Sequence, residues 1–181
     1  EAGRAHTRAR ELSRRVGDTE RLFSALGLLL MFHTTQGDQK TAHEIGKALL
    51  DIAQETQAPM LLMVTHWHVG IQRLFAGELL EARKHLERAI AHYEPAQHQA
   101  LTSRYGLEPG VMSFAALAWV LWTLGYPVQA LARSQEAIVL AETLAYPPGV
   151  AMAQSYACGL HVFIRQWPRV QALAEAVLRV S

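Results

Sequence analysis

Histidine and cysteine are the residues of this chain best able to do chemistry, and their spacing argues against a catalytic or metal site. The chain has nine histidines, but His66 and His68 lie two residues apart, and such side chains point to different sides of a helix. No His-Glu-x-x-His stretch occurs, and one cysteine argues against a closed zinc site. Phosphate-binding glycine motifs and Gly-x-Ser-x-Gly are absent as well. We therefore expect no enzymatic activity, no metal and no cofactor.

Two single residues have structural interpretations. His98 stands in a polar stretch near Tyr93 and Glu94, where a hydrogen bond from its ring would hold a loop against the helices. Cys158 has apolar neighbours on both sides, which favours an inert buried thiol over a nucleophile. A lone cysteine also fits a reducing compartment, so we expect a cytoplasmic protein.

A repeated spacing of small residues organises the elements that would position these side chains. Glycine is followed by alanine five residues later at Gly37–Ala42, Gly77–Ala82 and Gly125–Ala130, and Trp167–Ala172 completes the series. The four alanines lie 40, 48 and 42 residues apart, a period typical of helical repeats. Apolar residues recur at helical spacing, and no alternating stretch indicates a strand. The sequence predicts an all-α chain of antiparallel helical hairpins with about nine helices.

The whole chain, residues 1–181, is predicted to form one repeat domain. Its predicted units are 1–36 (an incomplete repeat and a first helix), 37–94, 95–145 and 146–181. A stretch rich in proline and glycine at 94–110, which we call the insert, explains the longer spacing of 48. Helices are also expected at 4–16 and, within the insert, at 97–105.

Charge gives little indication of a nucleic acid or membrane partner. The formal net charge is +1, so no strong field would attract nucleic acid or an anionic surface. A local cluster of arginines keeps nucleic acid as a minor alternative, and it comprises Arg4, Arg8, Arg10, Arg14, Arg15 and Arg21. The uncharged stretch between Glu108 and Arg133 is interrupted by Pro127, which favours a buried helix over a membrane span.

The start of the chain has no signal-peptide pattern. The chain does not begin with methionine and its first predicted helix begins in mid-repeat, so we expect a piece of a longer protein. The oligomeric state stays open, because a repeat end exposed by such a cut could pair with a second copy, and that pairing would be an artefact of the cut.

The small residues resemble those of tetratricopeptide repeats. One repeat places Gly70, Gly77, Ala82 and Ala89 at the small-residue positions of that family, and another places Ala118, Gly125, Ala130 and Ala137 there. Leu30 and Leu160 depart from the pattern, because each stands where the first small residue belongs. The resemblance implies a right-handed superhelical solenoid whose first helices line a concave surface.

A closer resemblance covers most of the chain after Gly37. It is carried by Tyr93-Glu-Pro95 with Gln97-His98, by Tyr105-Gly-Leu-Glu-Pro109-Gly-Val111, and by Leu121-Trp-Thr-Leu-Gly-Tyr-Pro-Val-Gln-Ala130. These stretches are similar to the TPR-like C-terminal region of large bacterial proteins that join a class III adenylate/guanylate cyclase, or another output domain, to a signal-transducing ATPase. The resemblance implies a regulatory or scaffolding role in signalling and brings no catalytic residue.

By repeat position, a set of mostly apolar residues would line the concave groove that the resemblance implies: Trp67, Ile71, Met112, Trp119 and Trp122, with His161 and Arg165 as a polar end. Packing between repeats is the alternative for each of them. Because tryptophan is enriched where interfaces concentrate binding energy, we expect the groove to bind a protein, a peptide or another domain of the parent chain. The alternative function is a sensor that closes over an apolar small molecule.

Overall fold

The computed structural model describes residues 19–97, 100, 102 and 108–180. These residues form eight α-helices, a short 3₁₀ turn at Pro95–Gln97 and no strand. The helices are α1 (Thr19–Thr35), α2 (Gln39–Thr56), α3 (Pro59–Phe75), α4 (Leu79–Ala91), α5 (Pro109–Thr123), α6 (Pro127–Thr143), α7 (Pro147–Phe163) and α8 (Trp167–Val180). The all-helical prediction is confirmed for this part of the chain. The helix predicted at 4–16, most of the one at 97–105, the arginines before residue 19, and His98 lie outside the described residues.

Packing follows the order of the chain. Each helix packs against the next, and α1, α3, α5 and α7 also form a continuous series of contacts. We call these four the first helices and α2, α4, α6 and α8 the second helices. The arrangement is compatible with a helical repeat fold. None of the described helices combines the length and the apolarity that crossing a membrane requires.

The corner of every hairpin is the same hydrogen-bonded turn. At the first corner the Gly37 N–H donates to the Thr34 carbonyl, and the Asp38 N–H donates to the His33 carbonyl. This pair of bonds is a Schellman motif, which ends a helix with one residue in the left-handed conformation. Gly37, Gly77 and Gly125 have φ of 77°, 77° and 86°. Glycine stands there because it adopts that φ without steric cost.

The last hairpin has a different register from the predicted one. Its corner residue is Arg165, with φ of 59° and the same two bonds, from Arg165 N–H to Val162 and from Gln166 N–H to His161. The position five residues later is therefore Val170 and not Ala172. Ala42, Ala82 and Ala130 are fully buried, whereas Ala172 is exposed. The prediction of Trp167 and Ala172 as equivalent positions was wrong by two residues, since backbone conformation and not side-chain size defines the corner.

The corrected register also explains the two leucines that departed from the small-residue pattern. The first small residue lies seven residues before the corner, and seven residues before Arg165 stands the small Cys158 and not Leu160. At Leu30, the small residue comes from the other helix of the hairpin, because a Cβ built on Gly46 would lie 3.9 Å from Leu30 Cδ1. The next hairpin reverses this pair, with Gly70 packed against Leu86. At these two crossings one leucine packs against one glycine, and either helix can supply the leucine.

Two of the first helices form the centre of the stack. Along α3 every residue from Met63 to Gln72 is buried, and α5 is buried over most of its length. Helices covered on several sides are expected to be apolar all round. Pro59, Pro109, Pro127 and Pro147 begin α3, α5, α6 and α7, where a missing N–H costs nothing. The prediction that the uncharged stretch after Glu108 forms a buried helix is confirmed.

Candidate functional site

An open, largely apolar groove of about 680 Å³ runs between the second helices α4 and α6. We call it the α4–α6 groove. Its lining residues are Ile90 of α4, Tyr93 and Pro95 just after that helix, Phe114 of α5, and Ala132, Gln135, Glu136, Val139, Leu140 and Thr143 of α6. Ligand sites commonly have volumes of about 300–1,000 Å³. The groove is therefore large enough to hold a bound molecule or a segment of another protein.

The helices on either side explain why this space exists. Over their described residues α4 and α6 do not pack closely against each other, because α5 lies between them and contacts both. Phe114 of α5 faces the gap, and the Arg133 guanidinium carbon lies 5.9 Å from the centre of its ring. Arg133 also donates to Glu136 at 2.6 Å. The groove thus combines an apolar lining with a charged pair at its edge, an arrangement common at interfaces.

Tyr93 closes the end of the groove next to the insert. Its ring packs so tightly on Gly110 that a Cβ there would overlap it. Glu108, buried at 1% exposure, caps α5 by accepting the Val111 N–H at 2.7 Å. Burial raises the pKa of Tyr93, and the nearby Glu108 carboxylate raises it further. The structure therefore brings together Tyr93 and Glu108, one from each end of the insert, and keeps the Tyr93 phenol neutral.

Three of the predicted groove residues lie in the core. Trp67, Ile71 and Met112 are 3%, 4% and 6% exposed and belong to the main apolar cluster. In this conformation they stabilise the packing of the first helices. Their assignment to a binding surface stays a prediction that would require these helices to move apart.

Trp119 and Trp122 are half-buried on α5. The Trp119 Nε1 donates to the Tyr156 carbonyl at 2.9 Å, and its ring meets the Phe163 ring edge-on at 5.6 Å between centres. The same ring fills the space above Gly159. Trp119 therefore joins α5 to α7. Trp122 packs at the border of the apolar core, and both indoles keep some exposed surface.

His161 and Arg165 belong to the last corner turn. His161 Nδ1 lies 2.8 Å from Gln166 Oε1. The same two positions pair at the first corner, His33 with Asp38 at 3.2 Å, and at the second, Arg73 with Glu78 at 2.6 Å. This side-chain pair reinforces the backbone turn at three of the four corners. Arg165 is exposed, so the structure places these two residues in a turn and does not bring them together with Trp67 or Ile71.

Three histidines meet between α3 and α4. His66 Nδ1 lies 3.0 Å from His85 Nδ1, and the His66 ring stacks on His92. Burial, then the neighbouring charge of His85, lowers the pKa of His66 to about 4. At neutral pH His66 is uncharged, and one imidazole of the pair donates to the other. Within the described residues, no group of three or more His, Cys, Asp or Glu side chains is arranged to hold a metal.

The α4–α6 groove was not predicted from the sequence, because repeat position assigned the candidate binding residues to the first helices. One signal was present. Val139 stands 14 residues after the corner residue of its hairpin, Gly125. At the same distance from their corners the other hairpins have Asp51, Ala91 and Arg179. It is 49% exposed and lines the groove. Single exposed apolar residues are common on protein surfaces, so this position alone could not identify the groove.

Comparison with known proteins supports the fold. No protein-family model and no curated protein matches the sequence. Among solved structures, the chain is similar to BtubC (BKLC) from P. vanneervenii, with a TM-score of 0.73 and 20% sequence identity. The match covers 99% of this chain and 70% of the BtubC chain. At this identity the likeness extends to the fold alone.

Proposed function

We propose that this chain is a non-catalytic, TPR-like solenoid that binds a segment of another protein, or of its own parent chain, in the α4–α6 groove. The observation that carries the proposal is the groove itself, apolar in its lining, open along one side and bounded by polar side chains such as Gln135 and Thr143. Stacked hairpins commonly present such extended surfaces to partners.

The chemistry of the lining defines the ligand. Val139, Leu140 and Phe114 offer apolar surface, and the Arg133–Glu136 pair leaves no net charge at this edge. A segment with apolar side chains on one face, such as an amphipathic helix, fits this surface. A ligand recognised mainly by its charge does not, and the first-helix positions of the concave side lack the Lys/Asn set with which some TPR domains hold a terminal carboxylate.

The proposed cellular role is signalling. The resemblance to the C-terminal region of bacterial cyclase–ATPase proteins supports a cytoplasmic module that scaffolds and relays binding to an attached ATPase, cyclase or other output domain. The similarity to BtubC supports only the helical fold of such a module. This role is tested separately, by titrating the chain with the neighbouring domains of its parent protein.

Peptide display tests binding in the groove. The immobilised chain would be used to select from a random peptide library, and the selected peptides would be titrated against two variants. Val139→Glu places a charge in the groove, and Val128→Glu makes the same change on the same helix at a site that is 80% exposed. We expect Val139→Glu to weaken binding about tenfold or more, because a charge buried without a partner is costly. Equal affinities for both variants would contradict the proposal.

A small-molecule sensor is the second candidate, and the groove volume of about 680 Å³ favours it. A ligand that binds only the folded chain must raise its melting temperature. Thermal shift against a library of apolar metabolites, repeated with Val139→Glu, tests this function. A compound that stabilises the wild-type chain and not the variant would support the sensor function. If the selected peptides failed to compete with that compound, the peptides and the compound would bind at different places.

A further inference from the structure

We propose that the contact between α3 and α4 is pH-sensitive, and that α4 moves away from α3 when the histidines between them bind a second proton. His66 of α3 is 7% exposed, His85 of α4 is half-buried, and His92 is the C-cap of α4. The Nδ1 atoms of His66 and His85 lie 3.0 Å apart. The His66 and His92 rings are almost parallel, at 7° and 6.1 Å between centres.

The facing nitrogens of His66 and His85 have room for one hydrogen. At 3.0 Å one Nδ1 donates its hydrogen and the other accepts it with its lone pair. A first added proton goes to the more exposed His85, whose Nδ1–H then donates to the neutral His66, so the hydrogen bond is kept. A second proton, on His66, puts a hydrogen on both facing nitrogens. The bond is then lost, and two positive rings repel each other.

The charged groups close to this pair are mostly basic. They are Arg73 at the end of α3, and Glu81, Lys84, Arg88 and His92 of α4 and its C-cap. Glu81 already accepts from Lys84 at 2.7 Å. For the part of the chain that the structure describes, no charged group of α1, α2 or α5 is among them. A charge on His66 is therefore opposed first by burial and then by its basic neighbours.

Acid favours the separated form for this reason. Burial, and then the charge of His85, lowers the pKa of His66 to about 4 while the helices are packed, whereas a solvated imidazole has a pKa of about 6.5. Between these values the separated form binds a proton at His66 that the packed form does not. The equilibrium therefore moves toward separation as the pH falls below about 6.5. Above that pH neither form binds the proton, and α4 stays packed.

The neighbouring His68 belongs to a different contact. It is 4% exposed, and its ring lies on the α1 side of α3, with Cε1 2.9 Å from the place a Cβ of Gly27 would take. Movement of α4 alone leaves His68 buried, whereas unfolding of the whole chain exposes both histidines. His66 and His68 thus report on two different events.

The movement would also affect the groove. Ile90 of α4 lines the α4–α6 groove, so one wall of the groove is displaced when α4 leaves α3. This consequence rests on the proposed function. The movement itself does not, and it is measured without a ligand.

Amide hydrogen exchange of the full chain at pH 7.5 and pH 5, corrected for the intrinsic exchange rates, tests the proposal. In wild-type α4 we expect protection to fall about thirtyfold or more between the two pH values. Most of this fall should be lost in His66→Asn, which cannot take the charge. It should be kept in His68→Asn, because His68 stays buried when α4 alone moves. Melting temperatures at pH 7.5 would verify that each variant folds, and His66→Phe, which keeps a ring against His92, replaces a His66→Asn chain that does not.

Equal losses of protection in the wild-type chain and the His66 variant would overturn the proposal. A smaller loss in His68→Asn than in the wild-type chain would overturn it as well, since exchange would then require unfolding of the whole chain. The dependence of wild-type α4 exchange on urea at pH 5 gives a check without any variant. Movement of one helix exposes little surface and depends weakly on urea, whereas global unfolding depends on it strongly. A strong dependence would contradict the proposed movement.

Discussion

At the scale of single residues, the corner turns determine the register of this chain. The backbone must adopt a left-handed conformation there, and glycine supplies it at three corners. Arg165 supplies it at the fourth, and Ala145 has φ of 48° between α6 and α7. A residue with a Cβ pays about 1–2 kcal/mol for this conformation. The corner glycines were predictable from sequence for that reason, and Arg165 was not, because nothing in its side chain indicates the turn.

Exchanging glycine and alanine at two turns tests the backbone cost. A Cβ at Gly125 would meet no other atom within 4 Å, so Gly125→Ala changes only the conformational energy. We expect it to lower the free energy of unfolding by about 1 kcal/mol, and Ala145→Gly to raise it by up to about 1 kcal/mol. Urea denaturation measures both. Shifts of the same sign for the two variants would show that these turns do not have the left-handed geometry.

A buried histidine links stability to pH. His68 is 4% exposed, and burial lowers its pKa to about 4, although its ring donates to the Val64 carbonyl. In the unfolded chain its pKa is about 6.5. The unfolded chain therefore binds a proton between about pH 6.5 and pH 4 that the folded chain does not, and acidification destabilises the fold. Above pH 6.5 neither state binds the proton, and the effect disappears.

From pH 7 to pH 5, His68 should account for about 2 kcal/mol of lost stability, at about 1.4 kcal/mol per pH unit below 6.5. His68→Asn retains a donor for Val64 and removes the titration. We expect the variant to have a shallower dependence of unfolding free energy on pH, measured by urea denaturation at each pH. The same slope for both proteins would mean that His68 is accessible to protons in the folded chain.

At the scale of helices, most of the architecture was predictable. The predicted helix bounds agree with the structure to within a few residues. They rest on helical periodicity, on prolines at helix starts and on the uncharged stretch of α5, and each of these is a local effect. It was harder to predict which residues of each helix face the core. Trp67 and Trp119 occupy first helices as expected, but Trp67 is in the core and Trp119 joins α5 to α7. Burial depends on which helices come together, and helical spacing alone does not contain that information.

The crossing of α3 with α4 can be tested through its leucine–glycine pair. A Cβ on Gly70 would lie 2.7 Å from Leu86 Cγ, closer than packed atoms approach. We expect Gly70→Ala to cost about 1–3 kcal/mol of unfolding free energy. In the background of Leu86→Ala, which leaves space at this place, the same change should cost much less. A double-mutant cycle measures the coupling, and costs that simply add would contradict the proposed contact.

At the scale of the whole molecule, the α4–α6 groove lies where the spacing between successive corners changes. The corners at Gly77 and Gly125 are 48 residues apart, whereas the other spacings are 40. The extra residues belong to the insert, which begins beside Tyr93 and includes the buried Glu108 near its end. The sequence predicted the insert from its prolines and glycines. It did not predict the groove, because the shape of a gap between two helices depends on the packing of a third.

Thiol labelling tests most directly whether a partner binds in this groove. In a Cys158→Ser background, single cysteines would be introduced by Val139→Cys in the groove, Phe163→Cys beside Trp119, and Val128→Cys as the control. These three side chains are 49%, 55% and 80% exposed. We expect a saturating peptide selected by display to slow alkylation at position 139 about tenfold and to leave positions 163 and 128 unchanged. If the peptide instead slowed alkylation at position 163 and left the rate at position 139 unchanged, the partner would lie on the first helices, and this result would contradict the proposed site.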